Sequence, residues 1–517
     1  MILGTRETVS QYEEKLLKLL GPVNNVASRR KRRKDPRYAR TVGQLCEQAG
    51  LDVQTLTDTV REKLEREVSS VCRAGSRFTR DCICVQFHED SDQVMRWAMD
   101  HGALLCVTRS QIDDLPCIVV ENPVAVYADM CKYFRELSDI DVTAVVGSIG
   151  KTTTKRMIHA VYAAQYPTFA DPENENQIDC VGYICQHIPQ KSRKLVQEVS
   201  EDTPGCLGLI SHMIRPSIAV VTAIDKSHIE AFGDEEKILE EIASVTRGMP
   251  ADGKVIVNID DDNTRSLIKD RPVVTVSLCD PEADFSAGEI SLEKDGLRFQ
   301  IREKAAGTRH WVKLHMVFAK HNIYSALYAF AAGVCAGVSR EKILKGLAAY
   351  RTVGIRQNVY QAGGAVLYVD CYNAVARSMR SAITAADEIP ASGRRIAVLG
   401  DIEEAGAYSD RIHQEVIAAV DASKFDTLLC YGEKMIRAAE TTQVRGSLEV
   451  VCCRKKSAVS EQLKKKGPQG GDIVLFKSSR KSALEETIKA VWPVAYRQKM
   501  LSYYWPIIKW RLKVILS

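Results

Sequence analysis

Val142-Thr143-Ala144-Val145-Val146 runs straight into Gly147-Ser148-Ile149-Gly150-Lys151-Thr152-Thr153, and this junction decides the fold. The first five residues are β-prone and apolar enough for a buried strand, and a helix is expected from about Thr154. Glycines let the backbone fold back so that successive N–H groups converge on one phosphate. The N-terminus of the following helix adds the positive end of its dipole. Lys151 is placed to reach the β- and γ-phosphates, and the Thr152 hydroxyl to enter a Mg2+ shell. Gly147, Ser148, Gly150, Lys151, Thr152 and Thr153 are therefore the candidate ATP-binding loop. It is shorter than the general GxxxxGK[ST] pattern, with two residues instead of four between its glycines.

Working outward, buried-strand candidates follow at Leu207–Ile210, Ile218–Thr222 and Val255–Ile259, with helical stretches between them and an alanine-rich buried helix from Ile323 to Val338. Alternating strands and helices predict a mainly parallel sheet. Upstream, Cys82–Val85, Ala103–Val107 and Ile118–Val120 read as short strands, followed by a helix from about Val124 to Leu137. Downstream, Val366–Val369, Arg395–Leu399, Thr427–Cys430 and Ile473–Phe476 repeat the alternation. The expected division is a basic extension at 1–40, an N-terminal α/β unit at 41–140, a central unit at 141–350, a C-terminal unit at 351–495 and a tail at 496–517.

The length of 517 residues requires several cores. With 45% hydrophobic and 26% charged residues the chain is globular, and a net charge of +5 gives no nucleic-acid-binding field. Its 16 cysteines include no CxxC pair and no Cys/His group with zinc spacing, so they read as reduced thiols filling cores in a cytoplasmic protein. The unbroken basic run from Arg29 to Lys34 reads as a solvated segment. The stretch from Tyr503 to Leu516 mixes aromatics, aliphatics and bases, and fits either a docked terminal helix or a peripheral membrane contact. No stretch is long and apolar enough to span a bilayer.

The string Gly147-Ser148-Ile149-Gly150-Lys151-Thr152-Thr153-Thr154-Lys155 resembles the Mur ligases, a similarity that continues in register from about Val68 to Ile488. It is nearest to the branch that adds D-alanyl-D-alanine to the muramoyl peptide. The resemblance implies a three-domain α/β architecture: a central P-loop ATPase domain with a parallel sheet, and a Rossmann-like C-terminal domain. It implies a metal-binding glutamate seven residues before a glycine, matched by Glu198 and Gly205, and a metal-assisting histidine in His228-Ile229-Glu230-Ala231-Phe232-Gly233. Lys151, Glu198 and His228 are thus the implied catalytic set, and Thr152, Glu198 and His228 the metal set. His321-Asn322 matches the HN motif, whose asparagine holds the nucleotide base. Arg356 matches the arginine of a PGR-like turn, and Asp370-Cys371-Tyr372-Asn373-Ala374 the DSYNAN stretch. Gly400–Gly406, with Glu404, matches GDMxELG, His413 follows it, and Lys477-Ser478-Ser479-Arg480 matches KGSR. Asn322, Arg356 and Asp370 are the implied further nucleotide contacts, and Asn373, Glu404, Lys477 and Arg480 the implied substrate contacts.

Three departures accompany the match. Ile242 stands fourteen residues after His228, where many members carry a lysine that becomes carbamylated to complete the metal site. Val375 and Ala376 replace the usual Asn-Pro, and the N-terminal signature is not recognisable around Ser69–Arg73. The implied chemistry is activation of a carboxylate by ATP as an acyl phosphate and its capture by an amine, with ATP and Mg2+ as cofactors. The implied substrates are a nucleotide-sugar-peptide and an amino acid or dipeptide, and the expected state is a monomer. Two other readings stay open: an ATPase or kinase-like protein, and a divergent nucleotide-binding protein of weak activity or different substrate.

Overall fold

The computed structural model describes residues 40–499 except 89–91, 173–174, 225–231, 233, 266, 268–270, 353 and 404–407. His228, Glu404, the basic run and the segment from Tyr503 to Leu516 lie outside the described residues.

Three sheets form in chain order. The first holds β1 (Val71–Arg73), β2 (Ile83–Val85), β3 (Leu105–Thr108) and β4 (Cys117–Val119), all parallel. The second has nine strands: β5 (Asp141–Val146), β6 (Thr168–Ala170), β7 (Lys194–Glu198), β8 (Ile218–Val221), β9 (Lys254–Asn258), β10 (Val273–Ser277), β11 (Phe285–Glu293), β12 (Gly296–Glu303) and β13 (Thr308–His315). The third holds β14 (Asn358–Ala362), β15 (Ala365–Asp370), β16 (Arg395–Gly400), β17 (Thr427–Tyr431), β18 (Glu449–Cys453) and β19 (Ile473–Lys477).

The second sheet runs β13-β12-β11-β10-β9-β8-β5-β7-β6, so β5 lies between β7 on one side and β8 on the other. Chain order reverses at β5, and the carboxyl end of such a strand opens a crevice between neighbouring connections. The glycine loop begins there. β5, β8 and β9 are apolar over most of their length because both faces are covered, which is why they read as continuous hydrophobic runs. The antiparallel meander β11–β13 extends this sheet, an element that the expectation of a mainly parallel sheet did not include.

One apolar core runs unbroken from Val71, Ile83 and Leu105 of the first sheet to Val142, Ala144 and Val255 of the second. Gln186 seals the joint by accepting from the Val71 N–H at 2.8 Å and donating to the Val71 carbonyl at 2.9 Å. The third sheet has its own cores on its two faces, one of which takes in Phe318 and Ala319 just before the helix Asn322–Cys335.

The strand expected at Leu207–Ile210 is instead part of the helix Cys206–Ile214. A four-residue apolar run has no period that separates a strand from a buried helix turn. Gly205, at φ 78, and the carboxylate of Glu241, which takes the N–H groups of Gly205 at 2.8 Å and Leu207 at 2.7 Å, start the helix. The true strand of this region, Lys194–Glu198, is bounded by two charged residues that hide it from an apolar scan. Cys72, Cys82 and Cys84 bring their sulfurs within 4.8 Å of one another, a convergence that sequence spacing did not reveal. They pack with Met95, Ala98, Ala103 and Ile112 as small apolar groups. Among the described residues, no helix is long and apolar enough to cross a membrane.

Candidate nucleotide site

Gly147 adopts φ 122 and Gly150 φ 88, both closed to ordinary L-residues at little cost. At Gly147 the constraint is also spatial, since a Cβ would stand 2.4 Å from Thr222 Oγ1 on the neighbouring strand end. Between them, the Ser148 and Ile149 N–H groups donate to the Ala223 carbonyl at 2.9 and 3.2 Å, which fixes the loop against the end of β8. The helix Lys151–Ala163 then starts at Gly150, with no side-chain cap on its first turn. Its leading N–H groups therefore face the crevice as an anion-binding end.

Lys151 and Thr152 each meet a carboxylate, Glu201 from the segment that leaves β7 and Glu198 from the last position of β7 itself. Thr152 Oγ1 donates to Glu198 Oε2 at 2.9 Å, and Glu198 lies opposite Val145 in the β5–β7 register. Lys151 Nζ donates to both oxygens of Glu201, at 3.0 and 2.8 Å, and Glu201 is 0% exposed. Asn176 Nδ2 donates to the second Glu198 oxygen at 3.1 Å.

Beneath this layer Lys155, one turn into the helix, is 1% exposed and sits between two acids. Its Nζ is 2.6 Å from Asp171 Oδ2 and 3.3 Å from Glu198 Oε2. Asp171 Oδ1 in turn accepts the Glu198 N–H at 2.8 Å. Burial alone would push Glu198 up, but the Lys155 ammonium, then Arg356 and Lys151, outweigh it and hold that carboxyl below its ordinary range. For Asp171 burial wins over Lys155, and with the charge of Glu198 beside it the carboxyl rises to about 7. Two buried acids share one lysine, so Glu198 keeps its charge and Asp171 holds a proton up to neutral pH.

The third unit reaches this crevice through Arg356, which lies close enough to lower Glu198 and stacks on the ring of Tyr372. Asn322, at the head of its helix, donates to Gln357 Oε1 at 3.0 Å, and the Gln357 N–H donates to Asp370 at 3.2 Å. Thr154 Oγ1 donates to Ser325 Oγ at 3.0 Å, which sets the head of that helix beside the head of the loop helix. Asn322, Arg356 and Asp370 thus cluster at the joint between the central and third units. Lys477, 1% exposed, pairs with Asp370 at 2.8 Å and donates to the Asn373 carbonyl, while Arg480 pairs with Glu485.

Other residues around the site have local work. His413 is fully buried; its Nδ1 is 2.7 Å from the Ser409 carbonyl, and its Nε2 accepts the Ile402 N–H at 3.1 Å. It pins the Ile402 backbone to the helix Ser409–Asp421. Asp260 accepts from Tyr324 at 2.8 Å and from the Leu278 N–H at 2.6 Å, tying β9 to the Asn322 helix. Ile242 is 0% exposed within the apolar core, and its neighbour Glu241 is taken up by the Gly205 and Leu207 N–H groups. Sequence reasoning left out Glu201, Lys155, Asp171 and Asn176. The charges of the first three were visible, but only the fold turns Asp171 and Asn176 back onto Glu198.

A glycine loop opening a helix at a sheet reversal, backed by buried lysines and carboxylates and faced by a second α/β unit, defines a P-loop nucleotide-binding protein of several domains. Residues 145–333 match the family model for the Mur ligase middle domain, and residues 355–480 that for the Mur ligase, glutamate ligase domain. The chain belongs to the Mur ligase family. It is 27% identical to the UDP-N-acetylmuramoyl-tripeptide--D-alanyl-D-alanine ligase of Bacillus subtilis, over 84% of this chain and 92% of that one. With the ligase of the same name from Escherichia coli the identity is 29%, over 85% and 94%. Its fold matches a crystal structure of MurF from Acinetobacter baumannii with a TM-score of 0.74 at 22% identity, over 88% of this chain and 98% of that one. MurF ligase from Thermotoga maritima, solved in complex with ADP, gives 0.70 at 18% identity over 84% and 98%.

Proposed function

We propose that this chain is an ATP-dependent ligase that joins an amine to a carboxylate through an acyl phosphate, acting in peptidoglycan precursor synthesis in the cytoplasm. The substrates we assign are a UDP-muramoyl peptide as the carboxylate and a dipeptide of the D-Ala-D-Ala kind as the amine. One observation carries the reading: Lys151 and Thr152, consecutive on the first helical turn, each meet a buried carboxylate at the mouth of the glycine loop. The relatives' names supply the substrate class.

The oxygen donors of Thr152 and Glu198 suit Mg2+, a hard cation that takes oxygen ligands. Bound there, the ion would supply charge neutralisation at the transferred phosphoryl group. His228 joins this set on the position of its motif. Lys151 binds the β- and γ-phosphates, and the N–H groups of the loop hold them in line. Arg356, already beside Glu198, brings a second cation from the third domain. Asn322 and Asp370 hold the nucleotide at the joint, and Asn373, Glu404, Lys477 and Arg480 orient the substrate. Closing the joint keeps water from the acyl phosphate.

Phosphate release tests this reading, with UDP-muramoyl tripeptide and D-Ala-D-Ala supplied together and singly, followed by other amines. Release that requires both partners supports it. Release without an amine would make the protein an ATPase. The buried Ile242 favours one competing reading, a nucleotide-binding protein of weak activity, for which ADP binding without phosphate release against any pair is the expected outcome.

A further inference from the structure

The reading above uses Glu201 only as the partner of Lys151 and gives it no role once nucleotide is bound, yet it is the most completely buried carboxylate at the loop. It follows Glu198 by three residues and is 0% exposed, and both its oxygens take Lys151 Nζ, at 3.0 and 2.8 Å. Among the described residues, Lys151 is the cation paired with it. Lys151 is also the ammonium that a bound nucleotide must recruit for its phosphates. One lysine therefore has two claimants.

A carboxylate sealed from water and stripped of its counter-ion is costly, because nothing replaces the lost hydration. Moving Lys151 onto a phosphate leaves Glu201 in that state unless another positive charge takes its place. Glu198 already bonds Thr152, the residue next to Lys151, so both acids border the same first turn. A divalent cation arriving with the nucleotide restores the balance that the departing ammonium upsets.

We propose that Glu201 is a counter-ion switch: it holds Lys151 while the site is empty, and when nucleotide draws Lys151 away it passes its charge to the incoming divalent cation. Glu201 thereby makes nucleotide binding depend on Mg2+. The inference rests on the nucleotide-binding part of the proposed function and adds a residue to it. A merely structural Glu201, orienting Lys151 for the phosphate, has the opposite consequence, since its removal weakens nucleotide binding with and without Mg2+ alike.

The test is calorimetric titration of ADP into the full chain, in EDTA and in excess Mg2+, for wild type, Glu201→Gln and Glu201→Asp. Glutamine keeps the shape and removes the charge, so Lys151 is released. ADP affinity in EDTA is then expected to rise about tenfold, and the Mg2+ enhancement to fall by a similar factor or more, the usual scale of coupling between two sites. Aspartate keeps the charge and is expected to keep most of the Mg2+ enhancement. If glutamine does not fold, Glu201→Met provides the second neutral replacement, with the same expected shift. Weaker ADP binding by equal factors in both media, or an unchanged Mg2+ enhancement, overturns the switch. Wild type that binds no ADP in Mg2+ defeats the nucleotide reading itself, and the switch with it.

Discussion

Lys155→Met removes the ammonium shared by Asp171 and Glu198 while keeping an unbranched apolar stem in the same space. Lys155 is 1% exposed, and its two partners lie at 2.6 and 3.3 Å. Removing one partner of a buried ion pair costs about 3–5 kcal/mol, because the remaining charge is left without compensation. A cooperative unit of roughly 150–250 residues loses about 2–4 °C of melting temperature per kcal/mol, so the expected fall is about 6–20 °C. The pH dependence follows from the signs. Asp171 is raised from an ordinary 3.8 to about 7, so its proton favours the folded state at low pH, and that contribution is lost as pH rises across this window. Glu198 is lowered, so its contribution is present above its ordinary range and lost in acid. Without Lys155 both carboxyls rise further, and the penalty of the substitution should grow as pH increases from about 5 to about 8. Thermal melts at these two ends, with Lys155→Met/Asp171→Asn alongside, measure it. The double variant removes the charge from Asp171 and should recover much of the loss. A penalty under about 1 kcal/mol, or one that does not vary with pH, would refute the shared-cation account.

Lys151→Ala is expected to abolish phosphate release. The sequence assigned its ammonium to the phosphate alone, but Glu201 beneath it is fully buried. The variant should therefore also melt lower, and Lys151→Ala/Glu201→Gln should recover the melt without recovering turnover. Gly147→Ala should lose ADP binding in titration, since its Cβ meets Thr222 Oγ1 at 2.4 Å and φ is 122. Retained wild-type affinity would remove the loop from the site. Ile242→Lys places an ammonium at a position 0% exposed in an apolar core, so it should lower the melting temperature and leave ligation unchanged or reduced. A bicarbonate-dependent gain of about tenfold in ligation rate would show instead that the position still serves the metal site.

By itself, the sequence determined what depends on local chain chemistry. The strand from Val142 to Val146 and its glycine turn follow from β-propensity and from two positions that only glycine occupies cheaply, and both are where the sequence put them. β8 and β9 of the second sheet and β15, β16, β17 and β19 of the third were legible too, because strands covered on both faces must be apolar along their length. The run Leu207–Ile210 was misread, since helix or strand was decided there by the Glu241 carboxylate, 34 residues from Leu207, capping the chain at Gly205. Charge partnership was decided only by tertiary structure. Lys155 and Asp171 are 16 residues apart and Lys151 and Glu201 are 50 apart, and each pairing exists because β5, β6 and β7 lie side by side. A sequence fixes which side chains are ionisable. Which of them share one ammonium depends on strand order, and burial then sets how strongly each holds its charge.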